Sequence, residues 1–404
     1  KISHCQQTII NPKKMKENLT NSIQTITLKT FYGFEQTLAD ELTELGYKDL
    51  TLLNRAVQLK GTWKDIYYLN LHSRCALSVL VEIARFSIKE EKDIYKKARQ
   101  IPWTEWFDIK KSFAVKGAVF STIFSNTKYP MLLVKDAITD TFRDNYGDRP
   151  NVEISKPDVL LDLYVRENQA TISINTSGAP LFQREYRKET GLAPMNEVVA
   201  ACLIRMSGWD RKTTFLDPFC GSGTLVAEAA LLASGIPSNI ERQFYAFKNL
   251  KNYDSELWNS IYDAVDYKIR NLPCRIMGSD VNDTMVLKAR RNIRNFAFSR
   301  SVEINGMNFN QVKSNDEPVF IITNPPYGER MGDRINELYE SIGNWLKHSM
   351  TNSVCWIISS NEDALKSLGL KTSVRQKVFN GDLECSFRKF EIYAGSKKQQ
   401  EITE

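Results

Sequence analysis

Histidine is scarce in this chain: only His4, His72 and His348 occur, in unrelated contexts. Metal binding and histidine-based acid–base chemistry are therefore not expected. The seven cysteines, at positions 5, 75, 202, 220, 274, 355 and 385, show no paired spacing. Such an odd, unpatterned set argues against a disulfide framework or a zinc site and for reduced thiols in the cytoplasm. No apolar run approaches the roughly 18 residues of a membrane span, and no secretory pattern opens the chain. The first residue is lysine, so the chain is expected to start inside a longer reading frame. What remains is ordinary for two or three soluble domains: 404 residues, 42% hydrophobic and 25% charged. The net charge of +6 permits a nucleic-acid partner without demonstrating one.

One short stretch organises the rest. Residues 213–216 are apolar and β-branched enough for a buried strand, and residues 225–234 read as a helix stopped by Gly235. Between them lie Asp217-Pro218-Phe219-Cys220-Gly221-Ser222-Gly223-Thr224. Strand, glycine turn and helix let a ligand approach backbone amides at a helix N-terminus. No Gly-Lys-Ser/Thr closes this turn, so it is not a P-loop. An acid ahead of the glycines suits a cationic or hydroxyl-bearing ligand better than a pyrophosphate. Alone, the turn is equally compatible with a nucleotide-like cofactor and with a merely structural role.

In chain order, residues 1–22 are polar and aperiodic, with Lys13-Lys14-Met15-Lys16, and are expected to be a disordered tail. Strands over 23–30 and 57–61 and helices over 34–45 and 62–72 make a small α+β domain, placed at 23–84. A second module, 85–180, has a strand at 113–120, an amphipathic helix at 131–146 and two strands at 158–166 and 169–175. Its motifs are Val134-Lys135-Asp136-Ala137-Ile138, Phe142-Arg143, Gly147-Asp148-Arg149-Pro150, Lys156-Pro157-Asp158 and Asn175-Thr176-Ser177-Gly178. Together they resemble the THUMP domain, and the domain ahead of them is similar to the ferredoxin-like piece that precedes it. The resemblance implies docking onto structured RNA. Lys116, Lys128, Lys135, Arg143, Arg149 and Lys156 are then candidate phosphate contacts, though each alone is better read as part of a solvated face.

Residues 181–395 form the third expected domain, with a polar tail at 396–404. Arg184-Glu185-Tyr186-Arg187 and Leu192-Ala193-Pro194-Met195-Asn196-Glu197 lead into a helix over 198–207. The next acid at a strand end is Asp280, about three times farther from the turn than the roughly 20 residues usual in dinucleotide folds. An aromatic-rich segment, 236–272, accounts for the extra length as a helical insertion. Further on, an apolar strand over 318–323 ends in Asn324-Pro325-Pro326-Tyr327-Gly328. An exocyclic amine on a nucleobase is a weak nucleophile because its lone pair is conjugated into the ring. The Asn324 side-chain oxygen and the Pro325 carbonyl can each accept one amine hydrogen, and proline's fixed φ helps aim that carbonyl. Holding both hydrogens steers the lone pair out of conjugation toward an electrophilic methyl. Tyr327 offers a face on which a flipped base can stack.

These motifs resemble a class I S-adenosyl-L-methionine-dependent methyltransferase. Their order resembles the guanine-N2 RNA methyltransferases joined to THUMP, nearest the bacterial family acting on large-subunit (23S) ribosomal RNA. The resemblance implies an α/β, Rossmann-like catalytic domain behind a ferredoxin-like/THUMP region. It places Asp217, Phe219, Gly221, Gly223, Thr224, Asp280, Asn308 and Asn324 at the cofactor, with Asp280 on the ribose hydroxyls. Asn324, Pro325, Pro326 and Tyr327 then position the target guanine. Two residues depart from the family pattern. Asn308 stands where an aspartate usually lies near the adenine amine, though its carbonyl can still accept that bond. Met195-Asn196-Glu197 replaces the commoner Leu-Lys-Glu. Transfer RNA remains open as substrate, as do N6-adenine methylation and a catalytically silent RNA-binding assembly factor. No membrane or metal partner is expected, and the oligomeric state is not legible.

Overall fold

The computed structural model describes residues 8–9, 22–191, 195–266, 271–314, 317–326, 334–381 and 383–393. The chain forms two compact units. One is drawn from Lys1–Thr30, Leu42–Leu181 and Arg242–Ala264, the other from Phe31–Glu41, Phe182–Glu241 and Val265–Glu404. No described helix is long and apolar enough to cross a membrane.

The first unit is built on one eight-stranded sheet: β1 (Thr8–Ile9), β2 (Gln24–Lys29), β3 (Thr51–Leu53), β4 (Ala56–Gly61), β5 (Ser78–Ser87), β6 (Phe113–Phe120), β7 (Val159–Arg166) and β8 (Gln169–Asn175). Its order is β3-β4-β2-β5-β8-β7-β6, with β1 added to β5. All neighbours are antiparallel except β6 and β7. Alternation within the strands decides which face is covered: along β2 Gln24, Ile26 and Leu28 are buried while the residues between them are not. Thr8–Ile9 pairs with Arg85 and Ala84, so part of the expected disordered tail is a strand; the remainder of that tail up to residue 21 lies outside the described residues. β5 joins β2 on one side to β8 on the other, so the boundary expected at 84/85 falls within a shared strand.

The segment Arg242–Ala264, expected within the catalytic domain, belongs to this first unit. The reason is its aromatic content. Tyr67, on the helix Trp63–His72, meets Phe247 at 4.6 Å and Trp258 at 6.2 Å between ring centroids, and its hydroxyl accepts the Asp254 N–H at 3.1 Å. Arg242 donates to the carbonyls of Ser177, Ala179 and Pro180 at 2.7–3.1 Å. Among the described residues, the insertion is helical only over Ser255–Asp263, with a 3-10 turn at Ala246–Asn249.

The second unit carries a seven-stranded sheet of β9 (Thr214–Asp217), β10 (Ile276–Asp280), β11 (Val302–Gly306), β12 (Val319–Thr323), β13 (Ser353–Ser359), β14 (Thr372–Asn380) and β15 (Leu383–Ile392). The order is β11-β10-β9-β12-β13-β15-β14, parallel up to β13, after which the β14–β15 hairpin runs antiparallel. Counted within the unit this is 3-2-1-4-5-7-6, so the order reverses at β9. The central parallel strands β12 and β13 are short, mostly apolar runs, as strands covered on both faces require. On one side the helix Arg334–Ser349 lays Ile335, Tyr339, Ile342 and Leu346 onto Leu216, Ile321 and Ile357.

Candidate functional site

In an open α/β sheet, ligands bind beyond the carboxyl ends of the strands where the order reverses. Here that place is the end of β9 with its neighbours β10 and β12, and the sequence puts a polar residue at each end: Asp217, Asp280 and Asn324. In register, Asp217 lies opposite Gly278, so Asp280 extends two residues farther along β10. Leu216 lies opposite Ile321, which places Thr323 just beyond Asp217.

An open cleft lies at this point. Asp217, Phe219, Gly221, Thr224 and Asn324 all line it, together with Gly191, Met195 and Met285. The glycine turn adopts the geometry its residues allow. Gly221 has φ +53° and Gly223, capping the helix Thr224–Ser234, has φ +84°. A Cβ on Gly223 would lie 2.8 Å from the Ala289 Cβ, so only glycine lets the turn sit this close to the helix Asp283–Ile293.

Asp217 is almost wholly buried, and its Oδ1 accepts the Thr323 hydroxyl at 2.7 Å and the Phe219 N–H at 3.2 Å. Burial pushes its carboxyl up to about 7, against the pull of those two bonds. Asp280 is more open. Its Oδ2 accepts the Gly221 N–H at 3.0 Å and its Oδ1 the Asn282 N–H at 2.9 Å, which ties the turn to β10. Each oxygen keeps a further lone pair for a ligand. At the end of β12, the Asn324 Oδ1 is buried and has no hydrogen-bond donor among the described residues. A buried carbonyl oxygen without a donor costs about 1–3 kcal/mol unless a ligand supplies one.

The remaining expected positions fall into place less uniformly. Pro325 is buried and Pro326 exposed, and Tyr327 lies outside the described residues. Asn308 is exposed and is not among the cleft-lining residues; its side chain accepts the Asn310 N–H at 3.3 Å and so caps its own 3-10 turn. Its neighbour Phe309 instead reaches the site, packing on Phe219 with ring centroids 5.1 Å apart. Asn196, at the departure from the family pattern, is the N-cap of the helix Glu197–Met206, accepting from Val198 N and Val199 N at 2.9 and 3.4 Å. The six candidate cations do not share one surface. Lys116 stands on the exposed side of β6, whereas Lys135 and Arg143 ride on the helix Tyr129–Tyr146, paired with Asp136 and Asp140. Lys128, Arg149 and Lys156 are exposed outside the strands and helices.

Sequence reasoning missed the strap that walls the cleft. Asn292, buried on the helix Asp283–Ile293, uses all four of its side-chain hydrogen bonds. Its oxygen accepts from Lys188 N and Glu189 N, both at 3.0 Å, and its nitrogen donates to Glu189 O at 2.8 Å and Ser222 O at 3.1 Å. One side chain thereby joins the glycine turn to residues 188–191. Arg187 anchors the same strap, with Glu197 at 2.9 Å, Met195 O at 2.7 Å and the Thr224 hydroxyl at 3.4 Å. Burial lifts Glu197 to about 7 despite Arg187. The available signal was an asparagine beside the apolar stripe Val286, Ala289 and Ile293. Behind the strap, Arg184 and Glu228 form a fully buried pair, and the Tyr186 hydroxyl donates to Glu228 at 2.9 Å.

Comparison with known proteins shows the family. Residues 184–389 match the family model described as "RMKL-like, methyltransferase domain", residues 89–175 the THUMP domain, and residues 25–80 the RlmL ferredoxin-like domain. Among curated proteins, the ribosomal RNA large subunit methyltransferase K/L of Shewanella frigidimarina is 34% identical over 374 residues. That match covers 91% of this chain and 52% of the relative, so the chain spans about half the length of the curated relatives it matches. Among solved structures, a possible methylase from Clostridium difficile 630 is 27% identical with a TM-score of 0.81, covering 93% of this chain and 100% of that one. SMU.472, solved in complex with SAH, is 25% identical with the same score and the same coverage. The chain belongs to the RMKL-like methyltransferase family, with ferredoxin-like and THUMP domains ahead of its methyltransferase domain.

Proposed function

We propose that this chain transfers a methyl group from S-adenosylmethionine to the exocyclic N2 of a guanine in RNA, with large-subunit ribosomal RNA as substrate. The observation that carries the reading is the buried Asn324 Oδ1, without a donor among the described residues, at a strand end that shares a cleft with Asp217 and the glycine turn. The names of the curated relatives support the choice of RNA.

The residues present fit the cofactor. Gly221, in left-handed backbone, lines the cleft without a side chain, Asp280 keeps lone pairs for hydroxyls, and Asp217 can face a cation once ionised. When bound, S-adenosylmethionine supplies an electrophilic methyl carried on a sulfonium. The protein's part is positional. Asn324 Oδ1 accepts one hydrogen of the guanine amine, and the Pro325 carbonyl takes the other. With both hydrogens held, the nitrogen lone pair is turned away from the ring and toward the methyl. No protein base is needed, because the alkylated nitrogen is acidic enough to lose its proton to water. Phe219, backed by Phe309, closes the cleft with apolar surface.

Asn324→Ala tests this directly. Calorimetry should show S-adenosylmethionine affinity within a few-fold of the parent, while methyl transfer falls about 10²-fold or more. Equal loss of binding and transfer would make Asn324 a structural residue and remove the central support.

A further inference from the structure

The sheet of the first unit has two unlike faces. Along the β6–β7 register one face carries Phe113 opposite Val159, continuing through Leu161, Leu163 and Val165, all buried. That face is covered by the helix Tyr129–Tyr146: Phe107 lies 6.1 Å from Phe113 and 5.0 Å from Phe142 between ring centroids. The opposite face carries Lys116, Phe120, Tyr164 and Arg166, all four exposed at the C-terminal end of the two strands. Phe120 is 62% exposed and Tyr164 41%, with centroids 6.0 Å apart. Two large rings side by side on a bare sheet are poor solvent-facing residues and mark a surface that meets something flat and apolar.

The charge on this face narrows the choice. Its acids are already used: Asp162 pairs with Lys29, and Glu82 pairs with Arg85 at 2.5 Å. Lys116 and Arg166, flanking the two rings, have no ion-pair partner among the described residues. Exposed aromatic faces between uncompensated cations fit nucleobases joined by phosphates. They do not fit a duplex, whose bases are stacked on one another and present no free face.

We infer that this open face, centred on Phe120 and Tyr164, is a docking site for unpaired RNA nucleotides, with bases stacking on the two rings and phosphates meeting Lys116 and Arg166. The inference rests on the RNA-substrate reading above and adds where, and in what form, the RNA is held. It does not use the helix-borne cations Lys135 and Arg143.

The test is a fluorescence-anisotropy titration of the full chain with a short labelled oligouridine and with a blunt duplex, at two salt concentrations. The double variant Phe120→Ala/Tyr164→Ala should lose about tenfold or more in single-strand affinity and stay within about twofold for the duplex. Phe120→Trp, which keeps a stacking face, should retain single-strand binding. Lys116→Ala and Arg166→Ala should each flatten the plot of log affinity against log salt by about 0.7. Unchanged single-strand affinity in the double variant, or parallel loss for both RNAs, would overturn the docking site. If the parent chain binds neither RNA, the RNA reading itself fails; indifferent variants of a parent that binds RNA leave that reading standing and remove only this surface.

Discussion

Replacing Asp217 by asparagine should abolish the pH dependence of S-adenosylmethionine binding. In the free chain burial holds this carboxyl at about 7, so at pH 6 only about one molecule in ten carries the charge. A cationic ligand in the cleft favours the ionised form, and binding below pH 7 must therefore expel the Asp217 proton. If the complex returns the carboxyl toward the ordinary range near 4, affinity rises about tenfold per pH unit up to 7 and is level above it. The sign for folding is opposite. An acid whose folded value is raised binds more protons folded than unfolded, so the free chain loses stability as pH climbs from about 4 to 7. Isothermal calorimetry between pH 5.5 and 8, in two buffers of different ionisation enthalpy, reads both the affinity and the released proton. The asparagine variant should bind more weakly than the parent above pH 7 and show neither slope nor proton release. A parent-like slope in the variant would refute the reasoning and would pass the titration to Glu197, the other carboxyl lifted to about 7.

Two further substitutions probe the scaffold of the site. Asn292→Ala leaves the Lys188 and Glu189 amides without their acceptor and frees the glycine turn from the strap. It should cost about 1–3 kcal/mol in denaturant unfolding and weaken cofactor binding; unchanged affinity would mean that the strap does not shape the cleft. Glu228→Ala strands the buried Arg184 guanidinium and should cost about 3–5 kcal/mol, measured in the same way. A loss below about 1 kcal/mol would show that Arg184 is adequately held by its other partners.

The parts of the site legible in the sequence are those whose geometry is local. A carboxylate, two glycines and a helix start within eight residues dictate their own turn, and an apolar strand ending in Asn324-Pro325-Pro326 announces a polar group at a strand end. Other features depended on distant partners. Nothing near Phe247 or Trp258 indicates that their partner is Tyr67, nearly two hundred residues earlier. β5 is buried along most of its length although Glu82 and Arg85 interrupt its apolar residues, and its role as a shared strand is visible only through its pairings. Asn292 illustrates the same limit: an asparagine in a helix is unremarkable until four backbone groups from two other segments converge on it. The open face bearing Phe120 and Tyr164 needed the β6–β7 register, which a pattern of alternation in either strand alone does not supply.

The central claim is most directly tested by nucleoside mass spectrometry. The purified chain would be incubated with isotopically labelled S-adenosylmethionine and unmodified large-subunit ribosomal RNA, with transfer RNA as a parallel substrate, before digestion to nucleosides. The account predicts label in N2-methylguanosine from the ribosomal RNA, absent from the Asn324→Ala reaction. Label in N6-methyladenosine, in transfer RNA alone, or in no nucleoside at all would contradict it.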